Sequence, residues 1–220
     1  MIRAFLFDFD GLILDTEVPS RAAWQHVYRE HGHELPLGRW SEAIGTRGDF
    51  EPIEHLEELV GAPVERERID ARRRAHELSL IEAEELRPGI AEYLAEAERR
   101  GLKRAIVSSS SRAWIDLHLA RLEQDVGWDA IVAAGHDKTR AKPRPDLYLE
   151  ALDVLGVAAA EAVAFEDSPH GVSAAHAAGI FCVAVPNAAT SGLGLDEADL
   201  VLSSLAELPP VELLARFSYP

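Results

Sequence analysis

Short apolar runs alternate with longer amphipathic stretches over most of this chain, and that alternation constrains the fold more than any single residue. Ala4 to Phe9, Arg104 to Ser108, Ala130 to Ala133, Ala162 to Phe165, Phe181 to Val185 and Leu200 to Leu202 read as strands. The first is apolar on both faces, the pattern of a strand buried in a parallel sheet. Between the strands, Pro88 to Arg100 carries Ile90, Tyr93, Leu94 and Ala97 on one stripe and meets a stop signal at Gly101. Arg112 to Leu122 follows Ser111, a natural N-cap, and Asp146 to Leu155 runs from Pro145 to Gly156. Alternation at this length implies βαβ units and an α/β fold with a doubly wound parallel sheet.

One block breaks the pattern. From Thr16 to Glu85 the sequence offers helical segments near Ser20 to His31, Pro52 to Val60 and Val64 to Leu86, with no strand between them. Glu65 to Arg74 is a dense charge run, the signature of a solvated helix face. A helical insert after the first strand predicts a small second domain at 16–85, set on a core made of 1–15 and 86–220. Such an insert would sit over the carboxyl ends of the strands, where open α/β sheets bind ligands.

Charge and cysteine content narrow the partners. Thirty-eight acidic against 22 basic side chains give a net charge of −16, whose field repels polyanions. Neither a nucleic acid nor an anionic membrane is expected as a partner. The single cysteine, Cys182, cannot form an internal disulfide, and no apolar run is long enough to span a bilayer or serve as a secretory signal core. A cytoplasmic protein is the expectation, as a monomer or small homo-oligomer.

The chemistry-bearing residues cluster where strands end. Asp8-Phe9-Asp10-Gly11 places two carboxylates at the end of the first strand, and Glu166-Asp167 places two more after the strand from Ala162. Carboxylates there need a cation or a proton, because burying them unpaired costs too much. A divalent metal with oxygen ligands meets that need; helix-capping acids are the structural alternative. Ser108 to Ser111 lead into a helix whose free N–H groups suit an anion, although serines there also simply cap and turn. Of three lysines, Lys142 and Lys138 both lie in the loop before Asp146 and could offer a point charge to a phosphoryl oxygen; spacing does not separate them. Phosphate-loop, dinucleotide-binding, nucleophile-elbow and His-Glu-x-x-His signatures are all absent. His31, His33 and His118 read as surface or packing residues.

Taken in order, Asp8-x-Asp10-Gly11, the helical insert, Ser108, Lys142, Glu166-Asp167 and Gly171-x-x-Ala174-Ala175-x-Ala177-Ala178-Gly179 resemble the haloacid dehalogenase-like hydrolase superfamily. More closely they resemble its subgroup with a helical cap, which includes β-phosphoglucomutase and many small-molecule phosphatases. The resemblance implies a Rossmann-like core and covers essentially the whole chain. It makes Asp8 the nucleophile that forms an aspartyl phosphate, and Asp10 the acid for the leaving alcohol and then the base for water. Mg²⁺ would be held by the Asp8 and Asp167 carboxylates and the Asp10 backbone carbonyl, with Glu166 in or beside its shell. Ser108, with Ser109 beside it, and Lys142 would bind the phosphoryl oxygens.

The same resemblance bears on the substrate, which is expected to be a small phosphorylated metabolite such as a sugar or polyol phosphate. Asp10 favours phosphate chemistry over halide release, and the lack of a lysine between Thr16 and Arg87 sets phosphonate hydrolysis aside. Arg47 aligns with the cap arginine that binds the distal phosphate in the mutases. Ser20 stands where those mutases carry a cap histidine, which favours a phosphatase over a phosphosugar mutase. Glu17 and Trp24 would line the mouth between cap and core, with Trp24 equally suited to the cap's own core. A non-catalytic phospho-accepting or binding module is the alternative of another class; the acid at Asp10 and the helical insert argue against it.

Overall fold

The computed structural model describes residues 1–41, 50–125, 127–135, 137 and 139–217. In chain order it runs β1 (Ala4–Phe7), α1 (Glu17–Glu30), α2 (Leu37–Ser41), α3 (Pro52–Val60), α4 (Arg66–Ile81), α5 (Ile90–Arg100), β2 (Lys103–Ser108), α6 (Arg112–Arg121) and β3 (Ala130–Ala133). Then follow α7 (Asp146–Leu155), β4 (Ala162–Glu166), α8 (Pro169–Ala177), β5 (Phe181–Ala184), β6 (Leu200–Val201) and α9 (Pro210–Ala215). Short 3₁₀ turns precede β4 and α9.

The six strands form one parallel sheet in the order β3-β2-β1-β4-β5-β6. The chain builds outward from β1 to β3 and then returns to the other side of β1 for β4. The order therefore reverses between β1 and β4, and a crevice opens there at the carboxyl ends of the strands. This is a Rossmann-like α/β core, and it sets the Asp8 and Glu166 segments side by side.

Alternation along each strand divides the core into two layers. Phe5, Phe7, Ile106, Val163 and Phe165 face α5, α6 and α9. Their rings interlock: Phe7 stacks on Phe165 at 4.9 Å, and Phe5 and Tyr93 meet Phe165 edge-on at 5.2 and 5.1 Å. Ala4, Leu6, Ala105, Ala162, Ala164 and Cys182 point the other way, where small side chains let α7 and α8 pack close to the sheet. Each large side chain fully buried in this way contributes roughly 1.5–3 kcal/mol.

Helices α1 to α4 make a third apolar cluster of their own, with Val27, Tyr28, Leu35, Trp40, Phe50, Leu56 and Ile69. Ala189, from the loop after β5, is buried in the same cluster, and Leu193 packs against it. The charge run on α4 is an ion-paired face: Arg73 meets Glu77 at 2.6 Å, Arg74 meets Asp70 at 2.8 Å and Arg72 reaches Glu30 of α1 at 2.5 Å.

Several boundaries differ from the sequence reading. β1 stops at Phe7 rather than Phe9, because Gly11, at φ 80°, turns the chain so that Asp10 bridges to Leu14. The last segment of the insert ends as a helix at Ile81, not Leu86, since Leu86 pairs antiparallel with Leu14 where the insert leaves and rejoins the core. Helix α2 was not expected; five residues carry too little periodicity to read.

Candidate active site

The crevice between β1 and β4 gathers the acids. Asp8 follows β1 directly, its N–H still donating to Phe165 O at 2.9 Å, and its side chain is buried. Glu166 closes β4, and Asp167 lies one residue on, before Ser168 caps α8 by accepting from the Gly171 N–H. One carboxylate oxygen from each of Asp8, Glu166 and Asp167 lies within 4.8 Å of the others. Lys142, 3% exposed, reaches in with Nζ 2.5 Å from Asp8 Oδ1 and 2.6 Å from Glu166 Oε1. Two buried carboxylates beside it hold the ammonium charged, above the ordinary lysine range.

Two of these acids contact that cation, and the third, Asp167, lies beside them. Burial, together with the charges of Glu166 and Asp10, pushes Asp8 upward against the pull of Lys142, and burial pushes Asp167 up likewise. Glu166 Oε2 is buried with no hydrogen-bond partner. A second positive charge with hard oxygen preference, a divalent cation, fits this donor set.

Two glycines make room for these acids. A Cβ on Gly11 would stand 2.1 Å from Asp167 Oδ2, and one on Gly171 would stand 1.7 Å from Glu166 Oε2. The glycines of Asp-x-Asp-Gly and of the α8 motif are thus required by close approach of a carboxylate.

Asp10 is half-buried and turned to the other side, outside the three-acid cluster. Its Oδ1 accepts from Thr16 Oγ1 at 2.9 Å and Trp114 Nε1 at 2.8 Å. Its Oδ2 accepts from Ser110 Oγ at 2.6 Å and Ser108 Oγ at 3.3 Å. Ser108 is buried at the tip of β2 and bridges the Asp10 side of the crevice to the loop after it, its Oγ accepting from the Ser110 N–H. The Ser109 hydroxyl accepts from the Lys142 N–H at 3.2 Å and so ties the serine run to the lysine loop.

Of the residues expected in the insert, Glu17 opens α1, half-buried. Burial, then the charges of Asp10, Asp8, Asp15 and Glu77, push its carboxyl up to about 8. Ser20 lies one turn later and is half-buried. Trp24 packs against the apolar cluster of α1 to α4 with the Arg73 guanidinium 5.1 Å from its ring centroid. Arg47 and Lys138 lie outside the described residues.

Sequence reasoning missed several partners. The Tyr148 hydroxyl donates to Glu166 Oε1 at 2.5 Å, and its ring lies 5.5 Å from Lys142 Nζ. Asn187 Nδ2 donates to Asp167 Oδ2 at 2.8 Å. Arg87 donates to the carbonyls of Gly11, Val185 and Pro186, tying the end of the insert to the acid-bearing loop after β1 and to the loop after β5.

Known proteins place this arrangement. The profile described as Haloacid dehalogenase-like hydrolase matches residues 5–185. The Bacillus subtilis protein named Putative phosphatase YhcW is 43% identical over 208 residues, covering 94% of each chain. A crystal structure of CbbY from Rhodobacter sphaeroides in complex with xylulose-(1,5)bisphosphate is 31% identical, covers 94% of this chain and 96% of its own, and superposes with a TM-score of 0.75. β-Phosphoglucomutase from Clostridium difficile is 26% identical over 99% of this chain and 98% of its own, with a TM-score of 0.76. Among the described residues no helix is long and apolar enough to cross a membrane.

Proposed function

The chain belongs to the haloacid dehalogenase-like hydrolase family as a phosphatase of the β-phosphoglucomutase-like type, and from that premise we propose the reaction it runs. It hydrolyses a small phosphomonoester of the sugar or polyol class, through an aspartyl phosphate on Asp8 and with Mg²⁺ bound. The observation that carries this reading is Asp8 itself: a buried carboxylate at the tip of a central strand, held by Lys142 and facing Glu166 and Asp167.

Asp8 attacks phosphorus in line with the ester oxygen. Lys142 and Ser108 meet the phosphoryl oxygens as charge redistributes over them. Asp10 protonates the departing alkoxide and then takes a proton from the water that hydrolyses the aspartyl phosphate. The Asp8 and Asp167 carboxylates and the Asp10 carbonyl would hold the metal, with Glu166 in or beside its shell. When bound, Mg²⁺ supplies a fixed positive charge that offsets the charge on the phosphoryl oxygens.

The insert, 16–85, serves as the cap over this site, hinged where Leu14 and Leu86 pair. Glu17 and Ser20, with Arg47, are its specificity residues. Ser20 in place of the mutase histidine favours release of inorganic phosphate, while the likeness to β-phosphoglucomutase supports transfer within a phosphosugar as the second reading. The ligand of the CbbY complex, a sugar bisphosphate, supports the substrate class.

The test is Mg²⁺-dependent phosphate release from a panel of sugar and polyol phosphates, with Asp8→Asn alongside. Release that is lost in Asp8→Asn and in excess chelator is expected. Turnover by a pure, folded Asp8→Asn protein would overturn the nucleophile, and full activity in chelator would overturn the metal.

A further inference from the structure

We propose that Trp114 is a positioning residue for Asp10, which dictates that the transferable proton of that carboxyl sits on Oδ2. The inference rests on the phosphatase reading, because it concerns how the proposed acid is aimed. The geometry separates the two carboxyl oxygens by the kind of partner each has. Oδ1 takes the indole N–H of Trp114 at 2.8 Å, whereas Oδ2 takes only hydroxyls, from Ser110 at 2.6 Å and Ser108 at 3.3 Å.

That difference has a chemical consequence. An indole N–H is a donor and nothing else, and the carbonyl oxygen of a protonated carboxyl accepts it better than the hydroxyl oxygen does, so the oxygen facing Trp114 favours the unprotonated role. A hydroxyl can rotate and turn from donor to acceptor, so the oxygen facing Ser110 is free to carry a proton. Thr16 Oγ1 also donates to Oδ1, but as a hydroxyl it cannot fix the assignment alone. Oδ2 is also the oxygen in reach of Ser108, the serine assigned to the phosphoryl group. The proton is thereby placed on the Ser108 side of the carboxyl, the side assigned to the phosphoryl group.

The ring of Trp114 is itself held in place. His118 meets it edge-on at 4.2 Å and lies against Phe9 at 6.5 Å, the residue between Asp8 and Asp10. His118 is 3% exposed, and neither of its ring nitrogens has a hydrogen-bond partner. It thus serves as packing that closes a loop of contacts from Asp10 through Trp114 and back to Phe9.

In the step this serves, an Asp8 carboxylate oxygen forms a bond to phosphorus as the phosphorus–alkoxy bond breaks. The electron pair stays on the departing oxygen, which takes the proton from Asp10 Oδ2 and leaves as the neutral alcohol. A leaving group that is already stable as an anion needs no such proton. Removal of the Trp114 N–H should therefore cost the enzyme on alkyl esters and spare it on activated aryl esters.

The experiment compares wild type with Trp114→Phe on an alkyl phosphate turned over by wild type and on 4-nitrophenyl phosphate. We expect kcat/KM to fall about tenfold on the alkyl ester, a part of the usual worth of a general acid, and to hold within about twofold on the aryl ester. Equal falls on both esters, as lost packing would give, overturn the inference, and so does no fall on either. If Trp114→Phe is unstable, a benzothienyl side chain at position 114, which keeps the shape and lacks the N–H, decides by the same ratio. A wild type inert on both esters would instead overturn the phosphatase reading, and this inference with it.

Discussion

The carboxamide of Asn187 donates to Asp167 Oδ2 at 2.8 Å and to the Gly11 carbonyl at 3.3 Å. Its own oxygen accepts from the Ala189 and Thr190 N–H groups, which shapes the turn that carries Ala189 into the apolar cluster of α1 to α4. One side chain thus orients a proposed metal ligand and forms the turn that packs on the cluster of α1 to α4. Support of this kind is worth about 10–100-fold in metal affinity in metalloenzymes. Asn187→Ala should therefore raise the Mg²⁺ concentration for half-maximal activity by about that factor. An unchanged Mg²⁺ dependence would show that Asp167 needs no such partner.

Lys142 is the cation shared by Asp8 and Glu166, at 2.5 and 2.6 Å. Removal of one member of a buried ion cluster leaves the others uncompensated, typically at about 3–5 kcal/mol. Lys142→Met should lose stability on that order in metal-free buffer, and turnover with it. Added Mg²⁺ should recover more of the melting temperature in the variant than in wild type, since the metal supplies the missing charge. Urea melts with and without Mg²⁺ check this; an identical Mg²⁺ response in both proteins would argue against a metal among these acids.

What the sequence disclosed and what it hid follow from how local each signal is. Asp8, Asp10, Glu166 and Asp167 could be found because a strand ending in acids is a local pattern, and parallel strands bring their carboxyl ends together. Lys142 was visible and its rival Lys138 equally so, because position within a loop is not encoded by spacing. Trp114 and Tyr148 were hidden. Their contacts, to Asp10 and Glu166, depend on helical phase and on how each helix docks, and both residues read as ordinary apolar positions. Asn187 stood two residues past a strand with nothing to distinguish it from a turn former.

Gly11 tests the crowding of the crevice. It holds φ at 80°, where an L side chain is strained by roughly 1–2 kcal/mol, and its missing Cβ is the space that Asp167 and Asn187 occupy. Gly11→Ala should lose at least that stability and displace Asp167, so Mg²⁺ should protect the variant from thermal unfolding less than it protects wild type. Equal protection in both proteins would mean that the acid has other room to move.

Far from the crevice, Glu96 on α5 gives a pH-dependent element whose sign is fixed by its partners. Arg99 grips both of its oxygens, at 2.7 and 2.6 Å, and Arg100 Nε lies 2.5 Å from Oε1. Hydrogen bonds from Arg99 and then Arg100 pull its carboxyl from the usual 4.5 down to about 2. A carboxylate that is more acidic folded than unfolded stabilises the native state above its unfolded value. The contribution is present in full above pH 4.5 and fades as the pH falls toward 2. Glu96→Gln should accordingly melt below wild type at neutral pH, with the gap narrowing as the pH is lowered through that window. A gap that stays constant from neutral pH down to acid would assign the cost to packing on α5 instead of to the charge.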